Sequence, residues 1–304
     1  MIAGCASTPN RTGPVSLAQY RTDPWDTQHP KAKRLSSANY RIYTDLQDTA
    51  ALDRLVQVME GAHQQYQALC PSAASTGAPL RCYVFSRRDE WAAFTTRNAG
   101  KDAPVYLRIN RGAYAINDWF VAFWLGDRGT FAVAAHEGWH QFVARHLAAR
   151  MPPALEEGIA CMFENIEWTS NLPQWDLGRS GARSEALRDA MRSGTLWPLK
   201  DLLRLHAGDV IKLPRERIDT FYAQTWALAR FLLDDRSEYR QSMDRYFAAL
   251  ASGDVYRPAE LSHLQLRDWH PELSQPQLEH YLGKSLASIE LEYSAFCAQL
   301  AMGK

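Results

Sequence analysis

The chain has 304 residues, which is enough for one large domain or two small ones, and its 46% hydrophobic and 22% charged residues are ordinary for a globular protein. Its 34 Lys and Arg residues balance its 34 Asp and Glu residues, so no basic field points to nucleic acid and no acidic field points to a cationic partner. No apolar run approaches the roughly 20 residues that a membrane span needs.

Residues 1–35 are predicted to be a tether or linker. Residues 2–5, Ile-Ala-Gly-Cys, resemble the bacterial lipobox, in which signal peptidase cleaves before a cysteine that becomes lipidated. The apolar segment of about 7–15 residues that normally precedes such a site is absent, so either the true start lies upstream or the match is accidental. We favour the first alternative, which predicts a bacterial cell-envelope protein, in the periplasm, whose membrane contact is a lipid on Cys5.

Residues 36–127 are predicted to form a mixed α/β subdomain with a small sheet. Alternation and β-rich composition predict strands, while apolar residues at helical spacing predict helices. The segment from Trp119 to Leu125 is either an edge strand that aligns a peptide or an inner core strand, and we favour the inner strand. The predicted strands are 39–45, 81–85, 105–109, 114–116 and 119–125, and the predicted helices are 46–69 and 89–98.

Two cysteines, Cys70 and Cys82, flank a predicted loop between a helix and a strand. In an oxidising compartment a bridge between them would stabilise the fold by about 3 kcal/mol. The alternative is two unpaired thiols, and the spacing does not decide between them.

Residues 128–304 are predicted to carry the functional site on a buried amphipathic helix from Thr130 to Ala148, which contains the sequence HEGWH. On a helix His136 and His140 lie one turn apart on the same face, so both imidazoles can reach one metal ion. Glu137 projects from the same turn and can act as the general base on a metal-bound water. The alternative is a pair of ordinary hydrogen-bonded histidines. Since such a polar triplet costs several kcal/mol when it is buried without partners, we favour the metal site.

A second amphipathic helix is predicted within residues 152–167, after a Pro-Pro pair that cannot continue the first helix. Glu156 and Glu157 fall in its first turn. A catalytic zinc takes three protein ligands and keeps one open position, so one of these carboxylates can be the third ligand. Acidic residues are also common in a first helical turn because they interact favourably with the helix dipole.

The sequence HEGWH followed by ALEEGIA resembles the motifs of the gluzincin metallopeptidases, the thermolysin-like "peptidase MA" group, and is closest to small bacterial members of unassigned substrate. The resemblance covers roughly residues 130–235. It implies an α+β, thermolysin-like zincin fold, with a small mixed sheet over the HExxH helix and a mainly helical C-terminal half that forms the second wall of the cleft. It also implies Zn²⁺ as the cofactor.

Residue by residue, the resemblance implies that His136, His140 and Glu157 are the zinc ligands and that Glu137 is the catalytic base. In the segment FYAQTWALARFLL, Tyr222 is implied as the phenol that stabilises the oxyanion.

The chain departs from the family at several positions. Ala154 stands where the family usually has Trp, and Cys161 stands where thermolysin has an Asp behind the ligands. Glu164 is the candidate to replace that Asp. No strand resembles the GAMEN segment of the M1 aminopeptidases, which argues against aminopeptidase action.

After residue 167 the pattern is mainly helical, with predicted helices at 183–193, 198–206, 215–234, 237–251, 275–283 and 285–300. We expect a zinc-dependent metallopeptidase that acts on a peptide or protein substrate and not on nucleic acid. The alternative is a non-catalytic cell-envelope lipoprotein that uses a zincin fold as a binding or scaffold module. A weaker third hypothesis is a zinc amidase acting on peptidoglycan cross-links.

Overall fold

A computed structural model describes residues 17–25, 31–73, 77–109, 112–116, 118–179, 181–234 and 237–302. The lipobox-like residues 2–5 lie outside these ranges, so lipidation and envelope location stay predictions. Among the described residues, no helix combines the length and the apolar character that a membrane crossing requires.

Six strands form one mixed sheet, in the order β1-β2-β3-β4-β6-β5, and two more form a separate hairpin. Strand β3 runs parallel to β4 and β4 runs parallel to β6, while the other neighbours are antiparallel. The strands are β1 (Arg21–Pro24), β2 (Lys33–Ser36), β3 (Tyr40–Thr44), β4 (Leu80–Phe85), β5 (Ala113–Ile116), β6 (Trp119–Phe123), β7 (Ile166–Thr169) and β8 (Leu172–Trp175).

Helices provide the remaining layers and nearly all of the C-terminal half. The helices among the described residues are α1 (Thr49–Leu69), α2 (Arg88–Asn98), α3 (Ala103–Tyr106), α4 (Asp127–His146), α5 (Pro153–Met162), α6 (Gly181–Ser193), α7 (Leu199–Leu202), α8 (Ala207–Val210), α9 (Arg215–Leu233), α10 (Arg240–Ser252), α11 (Pro271–Leu282) and α12 (Leu286–Ala301). The predicted α+β class is confirmed.

Alternation along the strands separates two hydrophobic cores, because successive side chains point to opposite faces of the sheet. One face, with Ile42, Cys82 and Phe120, packs against α1 and α4 in a large core that extends into the helical half. The other face, with Val121 and Phe123, packs against α2 in a smaller core. The large core therefore runs through both predicted subdomains, with α4 between the sheet and the C-terminal helices.

Three predictions of local structure are wrong. Residues 21–24 and 33–35 fall within the predicted linker, but residues 21–24 form β1 and residues 33–36 form β2, because Leu35 is buried opposite Ile42 in the antiparallel β2–β3 pair. Residues 105–109 were predicted to be a strand, but Pro104 in the first turn of α3 favours a helical start there. The β7–β8 hairpin was missed; its turn residues Ser170 and Asn171 both have positive φ, as in a type I′ turn.

Strand β6 lies inside the sheet, between β4 and β5, so the prediction of an inner strand at Trp119 is confirmed. The last strand of the sheet is β5, and no other described strand pairs with its outer side. The sheet thus presents an open edge next to α4.

The four cysteines among the described residues, Cys70, Cys82, Cys161 and Cys297, are free and buried. Cys70 ends α1, whereas the Cys82 thiol points into the large core and donates to Gln141 Oε1 at 3.7 Å. The loop between Cys70 and Cys82 is therefore not closed by a bridge.

Candidate metal centre

The connection between α4 and α5 is held by backbone hydrogen bonds from the C-terminal half. The N–H groups of Ala148 and Ala149 both donate to Leu250 O. Arg267 donates to the carbonyls of Ala144 and Leu147, which satisfies acceptors that a helix end leaves without intrahelical partners. This network fixes the start of α5 relative to α4, which carries His136, Glu137 and His140.

Two glycines allow the helices around the site to approach closely. A Cβ on Gly138, in HEGWH, would lie 2.8 Å from the Tyr66 hydroxyl of α1. A Cβ on Gly158, next to Glu157, would lie 2.0 Å from Thr225 O of α9. Because no side chain fits at Gly158, α5 and α9 lie in close contact, and this packing brings Tyr222, one turn before Thr225, to the site.

The side chains of His136, His140 and Glu157 converge on one point. Their ligand atoms form a triangle, with 3.3 Å between the two Nε2 atoms, 3.3 Å from His136 Nε2 to Glu157 Oε2 and 3.7 Å from His140 Nε2 to the same oxygen. A tetrahedral zinc ion with bonds of about 2.0–2.1 Å holds its ligand atoms about 3.3 Å apart. Glu157 Oε2 is buried and has no hydrogen-bond partner among the described residues. Three donors at this spacing, one of them an unsatisfied anionic oxygen, fit a divalent cation.

The far side of each imidazole is held by a carboxylate. His136 Nδ1 lies 2.9 Å from Glu164 Oε1, and His140 Nδ1 lies 2.8 Å from Glu156 Oε1. When each Nδ1 carries the proton, its N–H donates a hydrogen bond to the carboxylate oxygen. The lone pair of each Nε2 then points to the centre of the triangle, as in carboxylate–histidine–zinc arrangements. Glu156, which the sequence left as an alternative third ligand, thus lies behind His140, while Glu157 reaches the triangle.

Arg183 of α6 completes the support behind His136. Its Nη2 lies 2.8 Å from both oxygens of Glu164. Sequence reasoning did not single out Arg183, because it belongs to no motif and lies 19 residues from Glu164. The buried thiol of Cys161 joins this group: His136, Cys161 and Glu164 offer ligand atoms that all lie within 4.8 Å of one another.

Charges around the triangle shift the pKa values of its groups in opposite directions. Burial alone lowers the pKa of His140, but the carboxylates of Glu157 and Glu156 raise it to about 10. Burial alone raises the pKa of Glu157, but His140 and His136 hold it well below its usual range. The position between these three side chains therefore favours positive charge.

Glu137 and Tyr222 face the same cavity as the triangle. Glu137 is only 8% exposed, and burial raises its pKa despite the nearby imidazoles, as suits a proton acceptor that must also give the proton back. Burial and the Glu157 carboxylate raise the pKa of Tyr222, so its phenol keeps its proton and can donate a hydrogen bond. The centres of the Tyr222 and His136 rings lie 6.4 Å apart. The Arg183 guanidinium lies 5.1 Å from the centre of the Tyr222 ring, within the range of a cation–π interaction.

The cavity has a volume of about 550 Å³ and is open to solvent. Strand β5 contributes Ala113, Tyr114 and Ala115 to its lining, while α3, α8 and the α4–α5 connection contribute other parts. All five residues predicted from the sequence, His136, Glu137, His140, Glu157 and Tyr222, line this one cavity.

The chain matches no known protein-family model, and no curated protein is significantly similar to it.

Proposed function

We propose that this protein is a zinc-dependent peptidase of the thermolysin-like zincin type, with His136, His140 and Glu157 as the zinc ligands. One observation carries the proposal: two Nε2 atoms and an unsatisfied carboxylate oxygen stand at tetrahedral spacing on the wall of an open cavity. The donor set, two imidazoles and one carboxylate, is one that catalytic zinc uses in peptidases. The fourth position is then left for water or substrate.

Zinc, when bound, supplies Lewis acidity that polarises a peptide carbonyl and lowers the pKa of water. Glu137 follows directly after the first ligand and lines the cavity, so it is the residue that takes a proton from the attacking water. The same carboxylic acid then delivers the proton to the leaving amine, a role that its raised pKa supports.

Tyr222 is the proposed donor to the oxyanion, because its phenol stays protonated and its side chain lines the cavity from α9. The open edge of β5 is the proposed guide for the substrate. An extended peptide can pair with the backbone of such an edge, and β5 lines the cavity with small and aromatic side chains.

Substitution of Glu137 by Gln tests the mechanism. We expect Glu137→Gln to keep its zinc, since Glu137 is not a proposed ligand, and to lose activity about 100- to 10,000-fold, because proton transfer by a positioned side chain is worth that much. The measurements are zinc content by mass spectrometry and cleavage of a peptide library that includes cross-linked peptidoglycan stem peptides.

Glu185→Gln is the matched control, because Glu185 is exposed on α6. Full activity in zinc-loaded Glu137→Gln would overturn the mechanism. If the zinc-loaded wild type cleaves no member of the library while zinc still raises its melting temperature, the non-catalytic scaffold hypothesis is favoured instead.

A further inference from the structure

Arg150 lines the part of the cavity near His140, because its guanidinium lies 3.7 Å from Glu156, whose other carboxylate oxygen contacts His140 Nδ1. It lines the cavity together with Ala144, one turn after His140, and Pro153, the first residue of α5. The Arg150 backbone N–H donates to Leu266 O, which holds the residue in the α4–α5 connection. Its side chain is 32% exposed and lines a second, smaller pocket as well as this cavity.

The guanidinium of Arg150 has a nearby carboxylate but does not form a hydrogen bond with it. Its Nη2 lies 3.7 Å from Glu156 Oε2, which is beyond hydrogen-bond distance, and in the part of the chain that the structure describes that oxygen has no hydrogen-bond partner. The other oxygen of Glu156 is taken by His140 Nδ1. Within the described residues, the Arg150 guanidinium therefore has an ion-pair partner in Glu156 but no hydrogen-bond acceptor.

Lys212, another cation of the cavity lining, differs from Arg150. Its Nζ lies 2.8 Å from Asp209 Oδ1, so its charge already has a bonded partner. Arg183, behind the site, is bonded to Glu164 in the same way. A guanidinium fork matches a carboxylate in a bidentate geometry, which makes Arg150 the residue of this cavity that is best suited to a second carboxylate.

We propose that Arg150 binds a carboxylate of the substrate, so that the protein acts on peptides that carry a negative charge near the scissile bond. This inference rests on the proposed peptidase function. His140 and Ala144 both line the cavity and lie one helical turn apart, about 6 Å, and we take this length, about two residues of extended peptide, as the scale of the proposed subsite. The carboxylate is either the free C-terminus of the substrate or an acidic side chain within about two residues of the cleaved bond.

Paired peptide hydroxamates test the proposal by binding, without turnover. In the first pair, one member has a free C-terminal carboxylate two residues from the hydroxamate and the other has a C-terminal amide at the same place. In the second pair both members are blocked at the C-terminus, and the residue two positions from the hydroxamate is Glu in one member and Gln in the other. Calorimetry on the zinc-loaded wild type, Arg150→Gln and Arg204→Gln gives the ratio of affinities within each pair. Arg204 is exposed and outside this cavity, so its variant controls for loss of a positive charge.

We expect the wild type and Arg204→Gln to prefer the carboxylate member of at least one pair by about 10-fold or more, as a charge-assisted hydrogen bond provides. The pair that shows the preference identifies the source of the carboxylate. In Arg150→Gln the ratio should fall to about 1, while the amide or Gln member binds as before.

A wild-type ratio near 1 in both pairs, or a preference that persists in Arg150→Gln, would overturn the inference alone. If Arg150→Gln weakens the binding of both members of a pair equally, Arg150 only supports Glu156, and this result would also overturn the inference. Failure of every hydroxamate to bind in a zinc-dependent way would overturn the proposed function together with the inference.

Discussion

His136 has two sides, and each side offers a group of residues that can hold a metal ion. On the cavity side its Nε2 joins His140 and Glu157, and on the other side its ring approaches Cys161 and Glu164. The first group contains a buried oxygen that has no hydrogen-bond partner within the described ranges, and it opens to a cavity of about 550 Å³. In the second group Cys161 is fully buried, and both oxygens of Glu164 are already bonded to Arg183.

This difference shows how one histidine is both a candidate ligand and a positioned side chain. Arg183 compensates the charge of Glu164, and Glu164 accepts from His136 Nδ1, so the second group is electrostatically satisfied without a metal. The cavity group keeps an unsatisfied anionic oxygen next to two nitrogen donors. We therefore place the proposed metal on the cavity side of His136 and propose that the residues on its other side position the ring.

The largest expected effect comes from removing a ligand of the cavity group. Glu157→Ala should weaken zinc binding by more than about 100-fold, since even residues behind the ligands cost 10- to 100-fold when they are changed. Cys161→Ala is the matched change on the other side of His136 and should keep the full zinc content. Chelator competition measures both variants. The reverse pattern, with zinc lost in Cys161→Ala and kept in Glu157→Ala, would contradict the placement of the metal on the cavity side of His136.

A second prediction concerns the helix packing that holds both groups. Gly158→Ala should destabilise the protein by about 1–3 kcal/mol and weaken zinc binding, because the new Cβ would meet Thr225 O at 2.0 Å and force α5 away from α9. Gly181→Ala is the control, since a Cβ at Gly181 meets no atom of the described residues within 4 Å. Denaturant unfolding of chelator-treated protein separates the packing effect from the loss of zinc. Equal stability of the two variants would contradict this packing.

The smallest expected effect concerns Glu164, on the side of His136 that faces away from the cavity, and it tests whether this side positions the imidazole ring. Glu164→Gln should lower zinc affinity by about 10- to 100-fold, because the amide orients the His136 ring less well than the carboxylate does. Glu185→Gln, an exposed change on α6, should leave the affinity unchanged. Competition with a chromogenic chelator resolves differences of this size. Unchanged affinity in Glu164→Gln would show that the far side does not position His136.

The site residues that could be predicted from the sequence lie close together in the chain or recur at a regular helical spacing. His136 and His140 share a helix, so their common face follows from helical geometry alone. Their supports could not be predicted with the same certainty. Glu156 lies 16 residues from His140, and Arg183 lies 19 residues from Glu164, so which oxygen meets which ring depends on how α4, α5 and α6 pack.

The same contrast holds for the fold. The helices with strong apolar periodicity, α1, α4 and α9, were predicted with nearly correct bounds. Strands β1 and β2 were missed because their sequences are short and polar and become strands through pairing in the sheet. The open edge at β5 also depends on strand order, which local sequence does not specify.

The central claim is that one zinc ion lies on the cavity side of His136. An anomalous difference map at the zinc absorption edge, from crystals of the zinc-loaded protein, tests it most directly. We expect a single peak about 2.0–2.1 Å from His136 Nε2, His140 Nε2 and Glu157 Oε2. A peak between His136, Cys161 and Glu164, or a fourth protein ligand that closes the cavity site, would contradict it.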